Sequence, residues 1–210
     1  MNTKFFKYAG IAASVLLIAF GIGMVATGSS AQGTVNDNLA QEHITGTPDM
    51  TPAGIAAAVK ESKLVGLTLP TCSVANAPID DGASAKCFAS YMRIHALEAT
   101  GGRTYSQMGQ YLTAGGKETS EKTQAATDPK TGQPTPNGAR NVWVTETALG
   151  TAQNTSYFAS SVGTFAIIVG IALLLIGIGL LVLTVRWIRE PKPAAAKLAT
   201  PAAPIAPVPA

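Results

Sequence analysis

Two long runs of apolar residues frame this chain, and a polar middle separates them. The first, Ala9 to Ala26, holds Ile11, Val15, Leu16, Leu17, Ile18, Phe20, Ile22, Met24 and Val25 behind a short basic head, residues 1–8. The second is cleaner: from Tyr157 to Val185 no side chain is charged, and apolar residues dominate from Val162 onward. About 20 apolar residues at 1.5 Å rise cross a hydrocarbon layer about 30 Å thick, so the runs predict membrane spans at 9–27 and 157–185. Tyr157 and Phe158 at the start of the second run, and Arg186-Trp187-Ile188-Arg189 after it, supply interfacial aromatics and a positive stop. The first run is either a signal anchor or a cleaved signal peptide. Its length favours the anchor, whereas Ser29-Ser30-Ala31 offers small residues to signal peptidase. The fold class this predicts is a mainly α membrane protein, with two transmembrane helices flanking a small, mostly helical extracytoplasmic domain with loops, 28–156.

Within the middle the pattern weakens. From Gly28 to Pro52 the turn formers Asn36-Asp37-Asn38, Gly46 and Pro48-Asp49 predict an extended or loop connection. Thr51-Pro52 then offers an N-cap and a first-turn proline to a short helix over Ala53 to Lys63, with Ile55 and Val59 four apart. Val65 to Leu69 reads as a brief strand ended by Pro70. Ser84 to Thr100 is the best helix of the middle, because Phe88, Tyr91, Met92, His95 and Ala99 recur at three or four and Gly101-Gly102 closes it. A second short helix, Tyr105 to Leu112, is expected after Thr104, with a stop at Gly115-Gly116. Lys117 to Arg140 is rich in Pro, Gly and Asp with almost no large apolar residue, and is expected as a flexible loop. A helix through Asn141 to Leu149 then leads into the second run, with Trp143 packed on the domain or lying at the lipid surface.

Charge orients the arrangement. Lys4 and Lys7 precede the first run and Arg186, Arg189, Lys192 and Lys197 follow the second, while acids slightly outnumber bases between them, so both termini are expected in the cytoplasm. The tail, residues 186–210, is mostly Pro and Ala and cannot build a core, so it is expected to be disordered. Only 13% of the chain is charged, and the middle's Lys and Arg are scattered among acids, which excludes a nucleic-acid footprint. The two cysteines, Cys72 and Cys87, fall in the exported part. A disulfide between them closes a loop of about 15 residues, worth about 3 kcal/mol on the chain-entropy view.

Candidate chemistry is sparse. Gly163, Gly170 and Gly177 recur every seven residues in the second span, and Ala9, Ala13, Ala19 and Gly23 give small residues in the first. Such faces let helices approach closely, either each other or a membrane partner or a second copy. Neither run carries an Asp, Glu, Lys, Arg or His, so an ion or proton path has no such residue to carry it. His43 and His95, with Glu42 and Glu98 beside them, are the only histidines, and their places in a loop and on a packed helix face assign them structural roles rather than metal ligation. No strand-elbow-helix serine motif occurs. The residues therefore point to no catalytic site, no metal and no cofactor, and to the lipid bilayer as the first partner.

At His95-Ala96-Leu97-Glu98-Ala99-Thr100-Gly101-Gly102-Arg103-Thr104-Tyr105, and at Trp143 to Leu149 with Asn154-Thr155-Ser156-Tyr157-Phe158, the chain resembles an actinobacterial family of small membrane proteins with two spans around an exported loop. Members often carry the label of aromatic ring-opening dioxygenase subunits. The resemblance implies a Gram-positive cell envelope. The function expected from the residues is an accessory or scaffolding protein of that envelope; the alternative, implied by the label, is an extracytoplasmic dioxygenase-like or ligand-binding protein.

Overall fold

The computed structural model describes residues 3–189; of the tail 186–210 expected to be disordered, residues 186–189 continue the last helix instead, and those from 190 onward lie outside the described residues. Four helices carry the fold: α1 (Thr3–Gln41), α2 (Pro52–Glu61), α3 (Gly82–Ala99) and α4 (Gly138–Arg189). Two of them, α1 and α4, are long and apolar enough to cross a membrane. They run antiparallel side by side and support a small head made of α2, α3 and the intervening loops.

Both long helices outlast their apolar runs. At 39 and 52 residues, they extend about 58 and about 78 Å at 1.5 Å per residue. The expected loop from Gly28 is thus a continuation of α1 as far as Gln41. The polar residues there are weak helix formers, but every seventh position from Ser14 onward, Gly21, Gly28 and Val35, keeps facing inward, and Leu39 is only 5% exposed in the head's core. Tertiary packing overrides local propensity.

The pair of long helices is held by glycines set against backbone. A Cβ on Gly28 would stand 2.6 Å from the Gly163 carbonyl oxygen, and one on Gly21 2.8 Å from that of Gly170. Reciprocally, a Cβ on Gly170 would meet the Gly21 oxygen at 2.8 Å, and one on Gly177 would meet Ile18. The seven-residue glycine series of α4 therefore packs within the molecule, on a matching series Ser14, Gly21 and Gly28 in α1. Ala9, Ala13, Ala19 and Gly23 are not that face: the alanines are exposed and Gly23 has nothing within 4 Å. Their spacings of four, six and four residues spread them around a helix, whereas a seven-residue spacing stays against one neighbour.

In the head, α2 begins as expected: the Thr51 hydroxyl accepts from Gly54 N at 2.9 Å ahead of Pro52. Asp81 and Ser84 form a reciprocal capping box at the start of α3. The disulfide joins Cys72 to Cys87 and fastens the chain before α3 to that helix. Tyr91 and Ile55, both 0% exposed, sit with Met50, Ile79, Phe88 and Ile94 in the core. The buried face of α3 is thus centred on Tyr91 and Ile94; Met92 and His95 are half-buried and Ala99 is exposed, so the predicted face was rotated.

Three local expectations are corrected. Val65 to Leu69 forms no strand: Gly66 has a φ of 74° and Val65 is exposed, while Leu67 and Leu69 dip onto the core. Tyr105 to Leu112 is a single 3-10 turn, Tyr105–Gln107, followed by β1 (Tyr111–Leu112), which pairs antiparallel with β2 (Glu118–Thr119). Gly115-Gly116 is the turn of that hairpin rather than a helix stop, with Gly116 at a φ of 74°. Beyond it, the segment expected as a featureless loop contains β2 and returns to pair with β1: Leu112 N donates to Thr135 O, Ala126 N to Leu112 O and Thr135 N to Ala126 O.

Candidate functional site

The seam between α3 and α4 gathers the polar chemistry of the head. The helices run antiparallel, and their contact begins at Gly82, where an added Cβ would stand 2.5 Å from Ser160 Cβ. One turn on, Lys86 Nζ donates to Asn154 Oδ1 at 2.9 Å and stands 5.8 Å above the Tyr157 ring. Farther along, Arg93 lies over the ring of Trp143 at 5.3 Å. Trp143, 3% exposed, donates its indole N–H to Arg103 O at 2.7 Å and to Thr100 Oγ1 at 3.2 Å. Of the two positions the sequence left open for Trp143, the structure takes packing on the head.

Glu146 lies at the middle of this seam and is 7% exposed. It borders two hollows, one on each side of the line where α3 crosses α4. One, of about 290 Å³, is polar and lined by Lys86, Ser90, Arg93 and Thr151. The other, of about 500 Å³, is mainly apolar, with Met92, Ala96, Ala99 and Val142 in its wall and His95 at its edge. The Glu146 carboxylate accepts one long hydrogen bond, from the Thr147 hydroxyl at 3.4 Å. Among the described residues the ion pairs within 4 Å are His95–Asp49 and Arg103–Glu118, so no basic group pairs with Glu146. Lone glutamates are common on helices, and nothing in its spacing distinguished this one; its burial arises only once α3 covers it.

The two histidines are not brought together. His95 Nε2 stands 2.8 Å from Asp49 Oδ2, whereas His43 follows the end of α1 with a φ of 50° and lines a separate hollow beside Pro78 and Asp80. No three His, Cys, Asp or Glu side chains gather as metal ligands among the described residues. Asp49 titrates below the usual aspartate value because the Thr47 hydroxyl donates to it, with backbone and His95 adding to the effect. The Tyr91 phenol, whose O–H donates to Cys72 O at 2.6 Å, is pushed upward by burial and by the Asp49 charge.

A second polar knot ties the loops to α4. Arg103 Nη1 meets Glu118 Oε2 at 2.6 Å, Gly109 N donates to the same oxygen, and Asn137 Nδ2 donates to Glu118 Oε1 and to Gly109 O. Arg140 stacks over Tyr105 at 3.8 Å. The Arg103 hydrogen bond, ahead of those from Gly109 and Asn137, lowers the Glu118 carboxyl below its ordinary 4.5. A carboxyl depressed on folding stabilises the fold above its unfolded value, and that contribution disappears as pH falls through the folded one. The thermal midpoint of the detergent-solubilised chain is therefore expected to drop as pH is lowered below about 4.5, with a shallower drop in Glu118→Gln; identical slopes in the two would exclude this source.

Gly101 and Gly102, at φ of 62° and 79°, end α3 as predicted, and Gly102 N donates to Leu97 O at 2.7 Å. No protein-family model, no curated protein and no solved structure matches this chain.

Proposed function

We propose that this is a non-enzymatic accessory or scaffolding protein of the cell envelope, holding an extracytoplasmic head at a fixed place above the membrane for a larger membrane complex. The observation that carries this reading is the continuity of α1 and α4: neither breaks between its apolar run and the head it supports. A platform needs that stiffness, and an enzyme does not. The basic flanks of the apolar runs support cytoplasmic termini, and the disulfide supports an oxidising compartment for the head. Uncleaved, the first run serves as an anchor, since its glycine face is used against α4. Partners would meet the exposed outer faces of the two spans or the head, as a distinct membrane protein or a second copy.

The competing reading is an extracytoplasmic dioxygenase-like or ligand-binding protein. The apolar hollow beside Glu146 favours its ligand-binding form. The dioxygenase form needs His43 and His95 at one iron, and they line different hollows. Purification of the chromosomally tagged chain in mild detergent, with mass spectrometry of co-purifying proteins and metal analysis of the same sample, separates the two. A stoichiometric membrane partner without iron is expected. Recovery alone with stoichiometric iron that is lost on His43→Ala or His95→Ala would overturn the scaffold.

A further inference from the structure

Val65 is 89% exposed, the barest large apolar side chain among the described residues. Lys63 and Gly66 on either side of it hold φ of 55° and 74°, a left-handed conformation uncommon for lysine. The chain thus turns sharply as it leaves α2 and again just past the valine. Both flanks are anchored: Leu64 packs on the cluster of Leu97 and Trp143, and Leu67 reaches both core clusters. Val65 between them is a fixed apolar knob. Across α3 lies the apolar hollow of about 500 Å³, walled by Met92, Ala96, Ala99 and Val142. At 3.6 residues per turn, Met92, Ala96 and Ala99 share one face of α3, and Leu97 and Glu98 lie on average nearly half a turn away. Those two hold the Val65 loop, for Leu64 packs beside Leu97 and the Ser62 hydroxyl donates to Glu98 Oε1 at 3.3 Å. The knob therefore cannot enter the hollow of its own chain.

A single exposed apolar residue is ordinary on a protein surface. Here the knob and the hollow also share a level. Val142 stands 20 residues before Val162, about 30 Å along α4 from the apolar run, and Leu64 lies 3.0 Å from where a Cβ on Gly102 would stand, just past the same end of α3. Copies anchored in one bilayer by the same two helices hold knob and hollow at one height. No backbone hydrogen bond involves Val65 or Gly66 among the described residues, and Asn141 and Thr145 on the rim of the hollow offer polar groups to pair with them. We propose that the heads of neighbouring copies dock side by side, the Val65 loop of one entering the α3/α4 hollow of the next. Because knob and hollow face opposite ways, the contact is head-to-tail and repeats into a row or a ring instead of closing as a reciprocal pair. The proposal rests on the membrane placement in the reading above, and not on the accessory role.

Two full-length chains with different tags are co-expressed, one carrying Val65→Cys and the other Ala99→Cys, both at exposed positions. A short bismaleimide is added to the membranes, where the native cysteines are held in their disulfide and only the introduced thiols react. The mixed pair should cross-link, while Val65→Cys with itself and Ala99→Cys with itself should not. Equal yields in all three pairings, or none in the mixed pair, would overturn the docking. In liposomes, energy transfer between donor- and acceptor-labelled chains should require about 10- to 100-fold more protein per lipid in Val65→Ser, the loss of one buried valine. Unchanged transfer would sink the proposal as well. Carbonate extraction of the same membranes tells the two readings apart: release of the chain would overturn membrane placement and docking together, whereas an integral chain without the mixed cross-link would overturn the docking alone.

Discussion

Replacing Gly170 by valine is expected to force the two long helices apart. The first added atom, Cβ, would stand 2.8 Å from the Gly21 carbonyl oxygen and 2.9 Å from Val25 N. These are backbone atoms, which cannot swing aside as a side-chain tip does, so relief requires a shift of the whole helix. The expected cost is about 3 kcal/mol, the upper end of overpacking losses, and more if neighbouring contacts separate with it. It would be read as a lowered thermal midpoint of the purified full chain in detergent. Gly179→Val is the matched control: it lies on the same helix with nothing within 4 Å, so its midpoint should hold. Equal losses in both variants would mean that valine itself, rather than its location, disturbs the span, and the glycine interface would lose its support.

Trp143→Ala should be the most damaging change in the head. The indole is 3% exposed, packs with Ala96, Leu97 and Met108, and donates to Arg103 O and Thr100 Oγ1. It therefore joins the end of α3, the loop that follows and the start of α4. Its truncation is expected to cost about 3–5 kcal/mol. Trp143→Phe, which keeps most of the volume and forfeits the N–H, should cost about 1–3 kcal/mol. The disulfide and the helix pair would survive, so the loss is local. Amide hydrogen exchange should speed up across Leu97 to Arg140 while the spans keep their protection. Exchange accelerating evenly along the whole chain would contradict a separate second cluster around Trp143.

Much of the architecture was legible because it depends on local signals. Charge-free apolar runs, a Thr-Pro helix start, a Gly-Gly helix stop and two cysteines in the segment between the runs each carry their own physics, and the structure places α2, α3, the disulfide and both apolar helices accordingly. What was not legible depends on what the chain meets elsewhere. Asn36-Asp37-Asn38 reads as a turn in isolation, but Val35 and Leu39 on either side continue the packed face of α1, and the helix holds. Gly115-Gly116 is the same dipeptide whether it stops a helix or turns a hairpin, and the choice is made by Thr119, Glu118 and Thr135 pairing with the strand before it. The glycines of α4 were visible by their period. Their counterparts in α1 were not, since Ser14, Gly21 and Gly28 compete with a more conspicuous alanine series. Glu146 gave no signal, because burial of a single glutamate depends on a helix fifty residues away.

The unbroken helices also set how motion passes between membrane and head. Neither α1 nor α4 contains a proline from end to end, and kinks in helices cluster at prolines and similar interruptions. From Val162, where apolar residues begin to dominate, back to Gly138, α4 extends about 36 Å. Spans tilt when the hydrocarbon layer is thinner than their apolar length. A tilt of about 10° at the base would carry the far end of such a rod sideways by about 6 Å, on the scale of one helix turn. With its apolar runs in a bilayer, the helix pair would act as a lever with its fulcrum there, so that membrane thickness would become a lateral coordinate of the head.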